Sequence, residues 1–72
     1  MKITYDSEAD ALYIEFRDAT VTTSHIAEGI NANYAADGGL AGIEILDAAG
    51  RLGGNDVLRK VTLEDIAIGI AS

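Results

Sequence analysis

Asp6, Glu8 and Asp10 stand at i, i+2 and i+4, the spacing that opens an EF-hand calcium loop. That loop also needs Gly at its sixth position and Glu at its twelfth. Those positions hold Ala11 and Arg17, and an alternating strand pattern follows where a helix is required. The three acids therefore read as a solvated turn whose side chains cap its own amides. Glu15 and Glu44 lie on alternating segments. Two carboxylates can share acid–base work when their surroundings push their pKa values apart. Glu44 is flanked by Ile43 and Ile45, so its side chain points away from them, and a charged, exposed sheet face is expected. His25 has Ser24 and Glu28 close in sequence, but no nucleophile elbow or oxyanion motif accompanies it. It reads as a surface histidine at a strand end. Gly50-Arg51-Leu52-Gly53-Gly54 lacks the Lys-Ser or Lys-Thr of a phosphate-cradling loop and misses the dinucleotide fingerprint. The chain has no Cys and one His, so neither a thiolate nor a His-rich metal site is available. No catalytic residue, metal ligand or cofactor site is expected, and the chain is not expected to be an enzyme.

These side chains must be positioned by a single small domain spanning residues 1–72. With 72 residues and no disulfide, such a domain needs extra support, and self-association or a partner protein is the expected source. Hydrophobic residues make up 49% of the chain, which favours a folded domain over disorder. The net charge is −7, and all of it sits before residue 51. Residues 1–50 hold nine acids against Lys2 and Arg17, whereas Asp56, Glu64 and Asp65 balance Arg51, Arg59 and Lys60. This acidity disfavours direct contact with nucleic acid or an anionic membrane and favours a basic partner. There is no signal-peptide pattern and no apolar run of membrane-spanning length, so a cytoplasmic location is expected.

Period-two alternation marks the strands. Lys2 to Tyr5 is the first. In the second, Leu12, Ile14 and Phe16 alternate with Ala11, Tyr13, Glu15 and Arg17, so one face is greasy and the other mixed. Thr20 to His25 is β-branched and polar, suiting an exposed strand. Glu28-Gly29 breaks it, and Ile30, Ala32 and Tyr34 alternate with Asn31 and Asn33. Asp37-Gly38-Gly39 signals a hairpin. Leu40 to Leu46 follows, with Ile43 and Ile45 on one face and Leu40 and Leu46 on the other. Either Gly42 marks a bulge that resets the alternation or this strand is buried on both faces. Asp47 as N-cap predicts a helical turn through Leu52, and Asn55 another through Arg59. For residues 60–70, a capping-box pattern at Thr62–Asp65 argues helix, whereas alternation of Ile66, Ile68 and Ile70 argues strand. Strand is the favoured assignment. The expected fold is mainly β, with α+β the alternative. It is an antiparallel meander of five to six strands over residues 1–46, then a helical turn, a loop and a C-terminal strand or short helix.

Met1-Lys2-Ile3-Thr4-Tyr5-Asp6, Glu8-Ala9-Asp10-Ala11-Leu12-Tyr13-Ile14, Asp37-Gly38 and Gly42-Ile43-Glu44-Ile45-Leu46-Asp47-Ala48 together resemble the short prokaryotic domain of unknown function 2283 family. The resemblance covers about residues 1–52. It implies a compact antiparallel β meander with no established activity. It also implies, as one option, an antitoxin-type role beside a small toxin-like protein. The chain departs from the family pattern next to Tyr34, where Asn33 and Ala35 stand in place of acids.

Three functions follow as expectations. The first is an acidic protein-interaction module, with an antitoxin-type pairing to a small basic protein as its concrete form. Its contacts would come from Glu15 and Glu44 and from the apolar Ile66, Ile68 and Ile70. The second is a structural homo-oligomer, a dimer or larger. The third is a small-ligand binder or enzyme that gathers Glu15, Glu44, Tyr13 or Tyr34 in one pocket.

Overall fold

A computed structural model describes residues 1–64. The favoured strand over Ile66, Ile68 and Ile70 lies outside the described residues. Five strands form one antiparallel sheet: β1 (Lys2–Asp6), β2 (Ala11–Glu15), β3 (Val21–Ala27), β4 (Ile30–Ala35) and β5 (Leu40–Leu46). Two single-turn helices follow, α1 (Ala48–Arg51) and α2 (Asp56–Arg59). The mainly β, antiparallel fold is the one expected. Its spatial order is β1-β2-β5-β4-β3, which the sequence left open. β1–β2 is one hairpin, and β3–β4–β5 is a meander that folds back so that β5 pairs with β2. The link 16–20 therefore passes the ends of β5 and β4 to reach the far edge. Three strand spacings are roughly 14 Å, within reach of five extended residues. Arg17, on this link, grips Asp37 in the β4–β5 turn (Nη2–Oδ2 3.1 Å).

The turns use the residues their geometry demands. The Asp6 carboxylate accepts the Glu8 and Ala9 amides at 3.0 and 3.2 Å. Between β4 and β5, the Gly38 N–H donates to the Ala35 carbonyl, and Gly38 takes φ 85°, a conformation that costs a residue with a Cβ.

Register sorts the side chains. Ile3, Ile14, Ile43 and Ala32 form one row across the sheet, and Tyr5, Leu12, Ile45 and Ile30 the next. These rows make an apolar face. Thr4, Tyr13, Glu44, Asn31 and His25 form a row on the opposite, polar face. Asn33 opposes Gly42 while Tyr34 opposes Leu40, so Ala41 is an extra residue. Of the two arrangements open for this strand, the bulge is the one present. It returns Leu40 to the Ile43 and Ile45 face, leaving Leu46 opposite Ala11 on the polar one. The Ala41 carbonyl accepts the amides of both Phe16 and Arg17 (2.7 and 3.2 Å).

Gly42 lies under the Tyr13 ring. A Cβ there would stand 2.7 Å from the Tyr13 hydroxyl oxygen and 2.9 Å from the Ile14 carbonyl oxygen. Close approach of a neighbouring side chain to backbone is a standard reason for glycine within a strand.

The helical turns lie where expected, but Asp47 does not cap α1. Asp47 adopts φ 52° and makes no side-chain cap bond. Asp10 does that work from the β1–β2 turn. Its carbonyl accepts the Ala48 amide at 2.9 Å, and its Oδ1 accepts the Ala49 amide at 3.0 Å. The same Oδ1 accepts the Tyr5 hydroxyl at 2.6 Å. Asn55 precedes α2, also without a side-chain cap bond.

Two predictions follow from these contacts. The Tyr5 hydroxyl and the Ala49 amide hold the Asp10 carboxyl below its ordinary value, and the same hydrogen bond raises the Tyr5 phenol. A lowered carboxyl pKa gives stability that is complete above the unfolded value, about 4, and lost as pH falls through the folded one. Asp10→Asn should lower stability at neutral pH and flatten its decline below about pH 4, read from urea midpoints against pH. In ultraviolet titration the Tyr5 phenol should ionise late in the wild type and shift back towards its ordinary value in the variant, which lacks the Asp10 charge. Separately, Gly42→Ala should cost about 1–3 kcal/mol. In a Tyr13→Ala background, which loses the Asn33 hydrogen bond and so has its own cost, Gly42→Ala should cost less than in the wild type but still something, because the Ile14 carbonyl contact remains.

Candidate functional site

The polar face is tied together by amides. Asn33 is buried at 9% exposure. Its Oδ1 accepts the Thr23 hydroxyl at 2.8 Å, and its Nδ2 donates to the Tyr13 hydroxyl at 3.2 Å. One residue pair along, Asn31 Nδ2 donates to Glu44 Oε1 at 3.1 Å, and Asn31 Oδ1 faces His25 Nδ1 at 3.3 Å. Two polar rows thus cross the sheet, each centred on an asparagine. Asparagine is depleted from strands, so Asn31 and Asn33 two apart within one strand are the sequence signal for this network.

Glu15 opposes Gly42, whereas Glu44 opposes Tyr13. The two carboxylates share a face but are diagonal neighbours, roughly 7–8 Å apart at their backbones. Glu44 is instead engaged by Asn31. Tyr34 lies on the apolar face in the row of Leu40 and Thr22, the opposite side from Tyr13. The four residues considered for a common pocket therefore do not meet in one. Ser24 pairs with Ala32, one residue out of step with His25, so those two also point to opposite faces. The expected partner-contact residues Ile66, Ile68 and Ile70 lie outside the described residues.

The basic residues disperse. Arg51 Nε donates to the Leu46 carbonyl at 2.9 Å and its guanidinium packs on Gly29 in the β3–β4 turn. Arg59 pairs with Asp56 at 3.8 Å, both well exposed. In the Asp6–Asp10 turn, the Asp6 and Asp10 carboxylates are committed to hydrogen bonds within the protein. Among the described residues no group of three His, Cys, Asp or Glu side chains could hold a metal ion.

The apolar face is less complete. On this face Ala32 is 2% exposed, Ala41 in the bulge and Ala48 in α1 are fully buried, and no large side chain is fully buried among the described residues. Ile3 is 45% exposed. Over β1 and β2 the helical segment stands off the sheet and leaves an apolar cleft of about 450 Å³. Ile3, Leu12 and Ile14 form its floor, and Leu52, Val57 and Leu58 its roof. Tyr5 also lines it. The Tyr5 hydroxyl binds Asp10, so the acidic turn carrying Asp6, Glu8 and Asp10 adjoins the cleft. At the same end of the sheet lie Glu28 and Asp47, since Ala27, Ile30, Leu46 and Ala11 end their strands there.

No helix among the described residues is long and apolar enough to cross a membrane. No curated protein and no solved structure matches the chain. The family described as "Protein of unknown function (DUF2283)" matches residues 2–48, which span all five strands and the first residue of α1. The sheet and the Asp10-capped start of the helical segment are thus the matched unit, and the chain belongs to the DUF2283 family.

Proposed function

We propose that the chain is a non-enzymatic interaction module that docks a small basic protein, an antitoxin-type pairing in the cytoplasm. The observation that carries this reading is the apolar cleft of about 450 Å³ beside an acidic turn. Specific interfaces combine a desolvated apolar centre with a polar rim, and a few anchor side chains in pockets supply most of the affinity. An apolar anchor of the partner would enter between Ile14 and Leu58. Its basic residues would face Asp6 and Glu8. Opposite charge at the rim accelerates encounter and makes it salt-dependent, and the net charge of −7 sets the sign of the partner.

The test is capture of the tagged protein from its native cells at low salt, with bound proteins identified by mass spectrometry. A single stoichiometric basic partner is expected, lost at high salt. Val57 is 48% exposed at the roof of the cleft, so Val57→Glu should abolish capture while leaving the circular dichroism spectrum intact. A partner that binds Val57→Glu as well as wild type, or one that is acidic, would remove this reading.

A further inference from the structure

We infer that β3 is a self-pairing edge, through which two copies join into one continuous ten-stranded sheet. Among the described residues β3 and β1 are the two edges of the sheet. Free edges carry unpaired amides and carbonyls, and proteins guard them with charge, proline or bulges. β1 is guarded by Lys2 and Asp6 and has five residues. β3 has seven, with no Lys, Arg, Asp, Glu or Pro, and every residue after Val21 is exposed.

Charge selects this edge for a second copy. Each chain carries −7, so apposition of most surfaces brings acids together. The stretch Thr20–Ala27 contains no acid.

The register is set by the strand itself. Pairing with β4 is regular from Val21 to His25 and shifts between His25 and Ala27. An antiparallel self-pair that uses the whole regular stretch is centred on Thr23. Thr23 then opposes Thr23 of the second copy, Thr22 opposes Ser24, and Val21 opposes His25. Threonine–serine cross-strand pairs are favourable, and the two-fold arrangement closes on itself as an isologous dimer. Thr23 already donates its hydroxyl proton to Asn33, which holds it on the polar face. The row Tyr13–Asn33–Thr23 thereby continues across the axis into its own copy. Both clefts stay open on the opposite face. A single strand edge makes a small interface, so the dimer is weak and concentration-dependent.

The chain is free of cysteine, so single cysteines report the register directly. Directly opposed residues lie within disulfide reach, whereas Ser24 and its own copy would be diagonal, beyond the ~7 Å limit. Purified Thr23→Cys and Ser24→Cys proteins would be oxidised at equal concentration and run without reductant. The expected result is a dimer band of doubled mass for Thr23→Cys and its absence for Ser24→Cys. Adding Thr22→Lys to Thr23→Cys should abolish the band. Wild-type mass by light scattering should rise with concentration, and the same Lys variant should stay at one chain. A wild-type chain that stays monomeric at the highest soluble concentration would overturn the inference. Equal cross-linking of the two cysteine variants, or none, would overturn it too. Val57→Glu should leave cross-linking unchanged, which separates this outcome from that of the cleft.

Discussion

The pairing of β2 with β5 is the contact on which the architecture depends. Leu12 meets Ile45 and Ile14 meets Ile43 across it, residues about thirty positions apart. Without it the chain is a two-stranded hairpin and a separate three-stranded meander, and an isolated hairpin is marginal in water. With it, the two pieces share an apolar face. Several details serve this junction. The Ala41 bulge receives the chain leaving β2, and the Arg17–Asp37 pair holds the crossing link against the turn it passes. Gly42 lets the Tyr13 ring lie across the seam to reach Asn33.

The two faces of that sheet are completed differently. On the polar face, Asn31 and Asn33 turn potential vacancies into hydrogen-bonded rows. No buried side-chain polar atom among the described residues lacks a partner, which matters because an unmet buried donor or acceptor costs about 1–3 kcal/mol. The apolar face is built from isoleucine and leucine, yet among the described residues none of these large side chains is fully enclosed. The described residues after β5 cover only part of this face. An apolar cleft next to an acidic turn, and a polar edge with no charged residue, are the two surfaces this leaves. They differ in chemistry: one is apolar with an acidic rim, the other polar and without charged residues.

Asp10 connects the sheet to the helical segment and so shapes the cleft. Its backbone is left-handed, its carbonyl and carboxylate take the first two amides of α1, and its carboxylate also takes the Tyr5 hydroxyl. A turn residue of β1–β2 thereby decides where the roof of the cleft begins.

Much of the local structure was legible from residue types alone. Alternation located four of the strands, and β-branched polar content located the third in the chain. Asp6 and Asp37-Gly38 located two turns, and a short helical turn after Asp47 was expected where α1 stands. These features depend on neighbours within a few positions, where side-chain periodicity and turn chemistry act directly. The candidate surfaces were legible only in part. The excess of acid is legible from composition, whereas the diagonal placement of Glu15 and Glu44 comes only from the β2–β5 register. Asn33 and Asp10, which organise the polar face and the cleft, stood out only as an unusual strand residue and a turn acid, and their partners Tyr13, Thr23 and Ala49 came from the fold. Strand order, the choice of a bulge over a doubly buried strand, and the capping of α1 by a residue nearly forty positions away were decided by tertiary structure. Each depends on which distant backbone groups come together, and a carboxylate or amide in sequence carries no record of the partner that folding brings to it.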